Sequence, residues 1–107
     1  MSGSGKVRAG VVGTGQRASA FVSRFQSFDD VELTGLCDTN AERLHSYARQ
    51  KSCENVKLFT NLDEMLAGDL VDAVAITVPD KFHKDVAVRC FEAGKHVMLE
   101  KPMALTV

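Results

Sequence analysis

Cysteine, histidine and net charge are all in short supply in this sequence, and each shortage removes a class of function. The three cysteines, Cys37, Cys53 and Cys90, are an odd number with no close pair. Neither a disulfide framework nor a CxxC metal site is therefore indicated. Reduced thiols in a cytoplasmic protein are the expectation. His45, His83 and His96 are as scattered, with no HxxxH or HExxH spacing, so no metal site is expected. The formal net charge of −1 leaves no electrostatic footprint for nucleic acid or for an anionic membrane surface. Long apolar runs are missing too: Val71 to Val78 already carries Asp72 and Thr77, far short of the ~20 residues of a spanning helix. Residues 1–5, Met-Ser-Gly-Ser-Gly, contain no apolar segment of the signal-peptide kind and read as a flexible lead-in. The Gly5-Lys6 pair does not start a phosphate-binding P-loop, because Val7 stands where Ser or Thr must hold Mg²⁺.

What is present is 107 residues, 45 % hydrophobic and 25 % charged, the make-up of one ordinary folded domain. Lys6 to Val12 is apolar and β-branched and stops at a glycine turn, which predicts a buried strand. Ala18, Phe21, Val22 and Phe25 follow at helical spacing. Val31 to Cys37 is a second strand ending on Asp38, and Thr39 or Asn40 caps a helix carrying Leu44, Tyr47 and Ala48. Val56 to Phe59 is a short third strand. Asn61 with Glu64 starts a helix through Leu66, which Gly68 ends. Val71 to Val78 is a fourth strand cut off by Pro79, and Asp80 caps a helix with Phe82, Val86, Cys90 and Ala93, closed by Gly94. His96 to Leu99 is a fifth strand. Strict alternation of apolar strands and amphipathic helices predicts an α/β, doubly wound parallel sheet in residues 6–107.

The chemistry gathers where these strands end. Gly13-Thr14-Gly15-Gln16-Arg17-Ala18 joins the first strand to the first helix in the GxGxxA pattern. Gly13 permits the tight turn, Gly15 lets a pyrophosphate approach the backbone, and Ala18 lets the helix pack close. The positive end of that helix would then face the phosphates. Asp38 ends the second strand 20 residues after Ala18, where a carboxylate accepts from both ribose hydroxyls of a dinucleotide. It repels a 2′-phosphate, which favours NAD over NADP, although Arg17 and Arg43 can soften that choice by pairing with the phosphate. The competing role for Asp38 is a helix cap. Thr77-Val78-Pro79, His83 and Lys101 fall on the same rim, Lys101 flanked by Glu100 and Pro102 as a candidate donor to a substrate hydroxyl.

Together these residues resemble the Gfo/Idh/MocA family, which includes glucose–fructose oxidoreductase and inositol dehydrogenase. The likeness runs from Val7 to Thr106. It is most specific in Ala75-Ile-Thr-Val-Pro-Asp-Lys-Phe-His83 and in Ala93-Gly-Lys-His-Val-Met-Leu-Glu-Lys-Pro-Met-Ala104. The resemblance implies a Rossmann NAD(P)-binding fold with strand order 3-2-1-4-5-6, cofactor over residues 13–18 and Asp38 on its ribose. It implies Thr77 to Pro79 and His83 along the cofactor, Glu100 at the nicotinamide end, and Lys101 as the catalytic group at the reacting hydroxyl of a sugar or polyol. NAD is the preferred cofactor and NADP the alternative. A non-catalytic dinucleotide-binding regulator and an NAD-dependent glycosidase are the competing readings. The sixth strand and the second, substrate-binding domain of the family are expected to fall outside these 107 residues. The expectation is thus a nucleotide-binding domain truncated before its sixth strand, marginal in stability or self-associating as a homo-oligomer through an exposed fifth strand.

Overall fold

The structure, a computed structural model, describes residues 7–51, 53, 55–78 and 80–99, without the side chains of Gln16, Asp80 and Leu99. Five strands and four helices alternate: β1 (Val7–Val12), α1 (Gln16–Ser27), β2 (Val31–Cys37), α2 (Ala41–Gln50), β3 (Lys57–Phe59), α3 (Leu62–Ala67), β4 (Ala73–Ile76), α4 (Asp80–Glu92) and β5 (His96–Leu99). The strands form one sheet in the order β3-β2-β1-β4-β5, and every pairing is parallel. This is the doubly wound arrangement that the alternation predicts, as far as the described residues run.

Period-two alternation explains the two faces. Val11, Leu36 and Ala75 point to one side, where Ala18, Val22 and Phe25 of α1 and Leu44, Tyr47 and Ala48 of α2 cover them. Their chain neighbours Val12, Cys37, Val74 and Ile76 point to the other, under Leu62, Met65 and Leu66 of α3 and Val86 and Cys90 of α4. A strand covered on both faces has no polar side, which is why β4 reads as a continuous apolar run. Leu36, Met65 and Ile76 are fully buried, and truncating any of them to alanine costs about 2–5 kcal/mol. Gly10 of β1 stands opposite Gly35 of β2, at a register shift. Together they make room for Met65: a Cβ on Gly10 would lie 3.2 Å from its methyl, and one on Gly35 3.1 Å from its sulfur.

Asn40 and Asn61 cap α2 and α3 as the sequence predicts, accepting from the backbone N–H of Arg43 and Glu64. Three expectations change. β4 is shorter than Val71 to Val78, because Asp72 turns to Arg8 at one end and the Thr77 hydroxyl bonds the carbonyls of Val12 or Gly13 at the other. Val56 lies outside β3. Of the four α4 residues expected in the core, Val86 and Cys90 reach it, while Phe82 is half exposed and Ala93 is exposed. Lys6 and the segment from Glu100 onward lie outside the described residues.

Candidate functional site

A cleft of about 940 Å³ opens at the carboxyl ends of β1, β2 and β4. There α1 departs to one face of the sheet and α4 to the other. In an open parallel sheet this divergence leaves the space in which ligands bind.

The turn after β1 forms its floor. Gly13 has φ +95°, a conformation that disfavours a side chain, and a Cβ there would lie 2.8 Å from the Thr77 hydroxyl. The Gly13 N–H donates to the Cys37 carbonyl at 2.7 Å. Thr77 donates to the Val12 carbonyl through its N–H and its hydroxyl, both at 2.9 Å. The turn is thereby tied to β2 and to β4. Gly15 differs: its backbone is extended at φ 173°, and a Cβ there would meet nothing within 4 Å. Packing within the protein does not demand a glycine at 15; the free space lies in the cleft, which Gly15 lines.

The N-terminus of α1 carries no side-chain cap. Its N-cap is Gly15, which has no side chain to accept from the first-turn amides, and no acid occupies that turn. α2 and α3 each have an asparagine cap and acidic first-turn residues. The first amides of a helix need partners from outside it, and with the helix dipole they favour an anion. The buried Ala18 lets α1 sit against the sheet. Ser19 donates to the Gly15 carbonyl at 3.2 Å and shares a hydrogen bond with the Tyr47 hydroxyl at 3.1 Å, which links the turn to α2.

Asp38 forms the second wall. Its side chain is almost wholly covered. Oδ2 accepts from the Thr14 N–H at 3.0 Å and the Thr14 hydroxyl at 2.5 Å, and Oδ1 accepts from the Asn40 N–H at 2.9 Å. Arg43, from the first turn of α2, adds a two-pronged contact: Nε to Oδ2 at 3.0 Å and Nη2 to Oδ1 at 2.9 Å. Burial works to raise the Asp38 pKa, but the hydrogen bonds from Arg43, Thr14 and Asn40 outweigh it and hold the carboxyl below its ordinary value. Cys37 also lines the cleft. Burial, reinforced by Asp38, pushes its thiol up to about 11, so it stays protonated at neutral pH and offers no nucleophile.

Gly13, Thr14, Gly15, Arg17, Ala18, Asp38, Thr77 and Val78, all singled out from sequence, line this one cleft. His83 is half-buried and is not among its lining residues. The face of α4 on the cleft is instead Phe82, Asp85, Val86 and Arg89, at the i, i+3, i+4, i+7 spacing of one helical stripe. Arg89 bridges to Asp63 of α3 at 3.1 Å. These residues were not candidates in the sequence; the helical phase set by buried Val86 was the signal for them. The Gln16 side chain, Pro79, Glu100 and Lys101 lie outside the described residues. Among the described residues no helix is long and apolar enough to cross a membrane.

Comparison with known proteins agrees with this geometry. Residues 7–107 match the family model described as the Gfo/Idh/MocA "Oxidoreductase family, NAD-binding Rossmann fold". The chain is 33 % identical over 108 residues to a glycosyl hydrolase family 109 protein of Shewanella baltica, covering 94 % of this chain and 24 % of that protein. It is 35 % identical over 98 residues to a scyllo-inositol 2-dehydrogenase (NADP(+)) of Bacillus subtilis, covering 92 % and 29 %. It superposes with TM-score 0.81 and 33 % identity on the WlbA dehydrogenase of Chromobacterium violaceum, solved with NADH and UDP-GlcNAcA, over 94 % of this chain and 28 % of that one. The chain thus spans about a quarter of the length of these relatives.

Proposed function

The chain belongs to the Gfo/Idh/MocA oxidoreductase family as its NAD(P)-binding Rossmann domain, and from that premise we propose that it holds NAD, in preference to NADP, in the cleft at the carboxyl ends of its strands. It serves an oxidoreductase acting on a hydroxyl of a sugar, inositol or related polyol. The observation that carries this reading is the convergence, in one cleft, of an α1 terminus without a side-chain cap, unfilled space at Gly15 and the buried carboxylate of Asp38.

These residues fit the cofactor. The α1 amides offer donors for the pyrophosphate, the missing Cβ of Gly15 leaves its path clear, and Asp38 is the acceptor for the adenosine ribose. The bound nicotinamide supplies the site that takes or gives hydride. Thr77, Val78, Pro79 and His83 are assigned to the stretch toward that ring, and Glu100 to its end, on the strength of the family pattern. Lys101 is assigned the proton of the reacting hydroxyl on the same ground, since a lysine held near a hydroxyl can donate to it or take up its proton. The substrate pocket belongs to a further domain of the whole protein. A cytoplasmic location accords with three free, buried thiols.

The likeness to the Shewanella baltica protein favours one second reading, an NAD-dependent glycosidase in which the same site serves a transient oxidation that permits elimination. Calorimetric titration with NAD and NADP tests the shared premise. Binding of NAD is expected, and no binding of either dinucleotide at millimolar concentration would end this assignment. Gly15→Val is expected to abolish binding while leaving the melting temperature within a few degrees, because the side chain enters cleft space and the backbone there is extended.

A further inference from the structure

The carboxylate that the proposed function assigns to ribose has no capacity left to accept one. Oδ2 receives three donors, the Thr14 N–H, the Thr14 hydroxyl and Arg43 Nε. Oδ1 receives two, the Asn40 N–H and Arg43 Nη2. Five donors therefore converge on two oxygens that together offer about four lone-pair positions. A ribose diol brings two more donors, so something must leave first.

The structure shows which donor is free to go. The two Thr14 bonds and the Asn40 bond come from the backbone, or from a short buried side chain beside it, and they hold Asp38 whether or not Arg43 is present. The Arg43 side chain is 58 % exposed, against 3 % for Asp38. It can rotate into water without leaving either carboxylate oxygen unpaired, since Oδ1 keeps Asn40 and Oδ2 keeps Thr14. Charge points the same way. A bare Asp38 puts one negative charge beside the ribose 2′ position, whereas the Asp38–Arg43 pair sums to zero there and leaves a planar, forked cation next to that position.

We propose that Arg43 is a specificity-determining gate on Asp38: it competes with the ribose of NAD for the carboxylate, and it becomes the partner of the 2′-phosphate when NADP binds. The inference rests on the proposed dinucleotide site and concerns what sets its choice between the two cofactors. Arg43 places the domain nearer to dual use than a lone aspartate would. NAD binding must break a two-pronged contact, whereas NADP binding exchanges it for another of the same kind.

The test is titration of the full chain and of its Arg43→Ala and Arg43→Lys variants with NAD and with NADP, alongside thermal melts. Arg43→Ala is expected to bind NAD about two- to fivefold more tightly, the scale on which an exposed ion pair competes. It is expected to bind NADP about tenfold more weakly, the scale of one charge-assisted contact to phosphate. Arg43→Lys keeps the charge without the fork and should fall between wild type and Arg43→Ala for NADP. Raising the salt concentration should weaken NADP binding to the wild type and to Arg43→Lys, and do so less for Arg43→Ala. An NADP-to-NAD ratio unchanged in both variants would overturn the gate, as would NAD binding that weakens along with NADP. Loss of the NADP response on Arg17→Ala but not on Arg43→Ala would assign the phosphate to the other arginine of the cleft and overturn it too. If the wild type binds neither dinucleotide, the site assignment itself fails, and the gate with it.

Discussion

Two arginine–aspartate pairs sit at opposite ends of the same sheet, and they do opposite things. At the amino end, Arg8 of β1 and Asp72, just before β4, are joined four times. The Arg8 N–H and Nε donate to Asp72 Oδ2 at 2.8 and 3.2 Å, Nη2 donates to Oδ1 at 2.8 Å, and the Asp72 N–H returns a bond to the Arg8 carbonyl at 2.7 Å. Both side chains are mostly covered, at 14 % and 19 % exposure, and Asp69 adds a further contact to the guanidinium. At the carboxyl end, Asp38 and Arg43 make the same two-pronged contact, but only the aspartate is covered. Identical chemistry thus yields a rivet where both partners are enclosed and a removable cover where one faces water. A side chain that returns to solvent regains its hydration and rotamer freedom, so an exposed pair is worth little and can be exchanged, whereas separating an enclosed pair strands a charge.

That contrast can be broken by mutation. Asp72→Ala should have the largest effect, a loss of about 2 kcal/mol of stability in a denaturant melt, because it removes the acceptor of a covered backbone N–H and of the guanidinium. Its NAD affinity, measured on the folded protein, should stay within about twofold. Asp38→Ala should invert the pattern, weakening NAD about tenfold and NADP less, with a stability loss of about 1 kcal/mol from the unpaired amide of Thr14. Equal losses for the two cofactors would deny Asp38 its ribose role. Arg43→Ala should move stability by no more than about 0.5 kcal/mol, and a loss as large as that of Asp72→Ala would erase the distinction between the two pairs.

Acid should sharpen the same contrast. Hydrogen bonds from Arg8 hold the Asp72 carboxyl well below the usual carboxylate range, and Asp38 is lowered as well. A carboxyl that is more acidic in the folded chain than in the unfolded one contributes stability above the unfolded pKa of about 4, and that contribution is lost as pH falls below it. Melting temperature should therefore be flat in this respect between about pH 5 and 7 and decline below about pH 4. The decline should be shallower in Asp72→Ala.

Local patterns carried most of the fold into the sequence, and long-range ones did not. The strand and helix order was legible because short apolar runs give way to helical spacing at each boundary, and Asn40 and Asn61 cap within three residues of their partners. Gly13, Gly15 and Asp38 were legible as a motif with a fixed spacing. The binding of Asp38 to Thr14 spans 24 residues and that of Asp72 to Arg8 spans 64, and nothing local marks either one. The turn of Thr77 onto Gly13 is hidden for the same reason. His83 and Phe82 show the limit of phase: adjacent residues on a helix point about 100° apart, and the burial of Val86, four residues after Phe82, decides which of them lines the cleft.

One consequence concerns light. The chain has no tryptophan and a single tyrosine, Tyr47, so emission excited in the tyrosine band comes from one ring. That ring is buried on α2, and its hydroxyl meets Ser19, whose own hydrogen bond reaches the carbonyl of Gly15. A change in the glycine turn is therefore two hydrogen bonds away from the one tyrosine of the chain. Occupation of the cleft is expected to change tyrosine emission without a label, and Tyr47→Phe, which should lose that response, supplies the control.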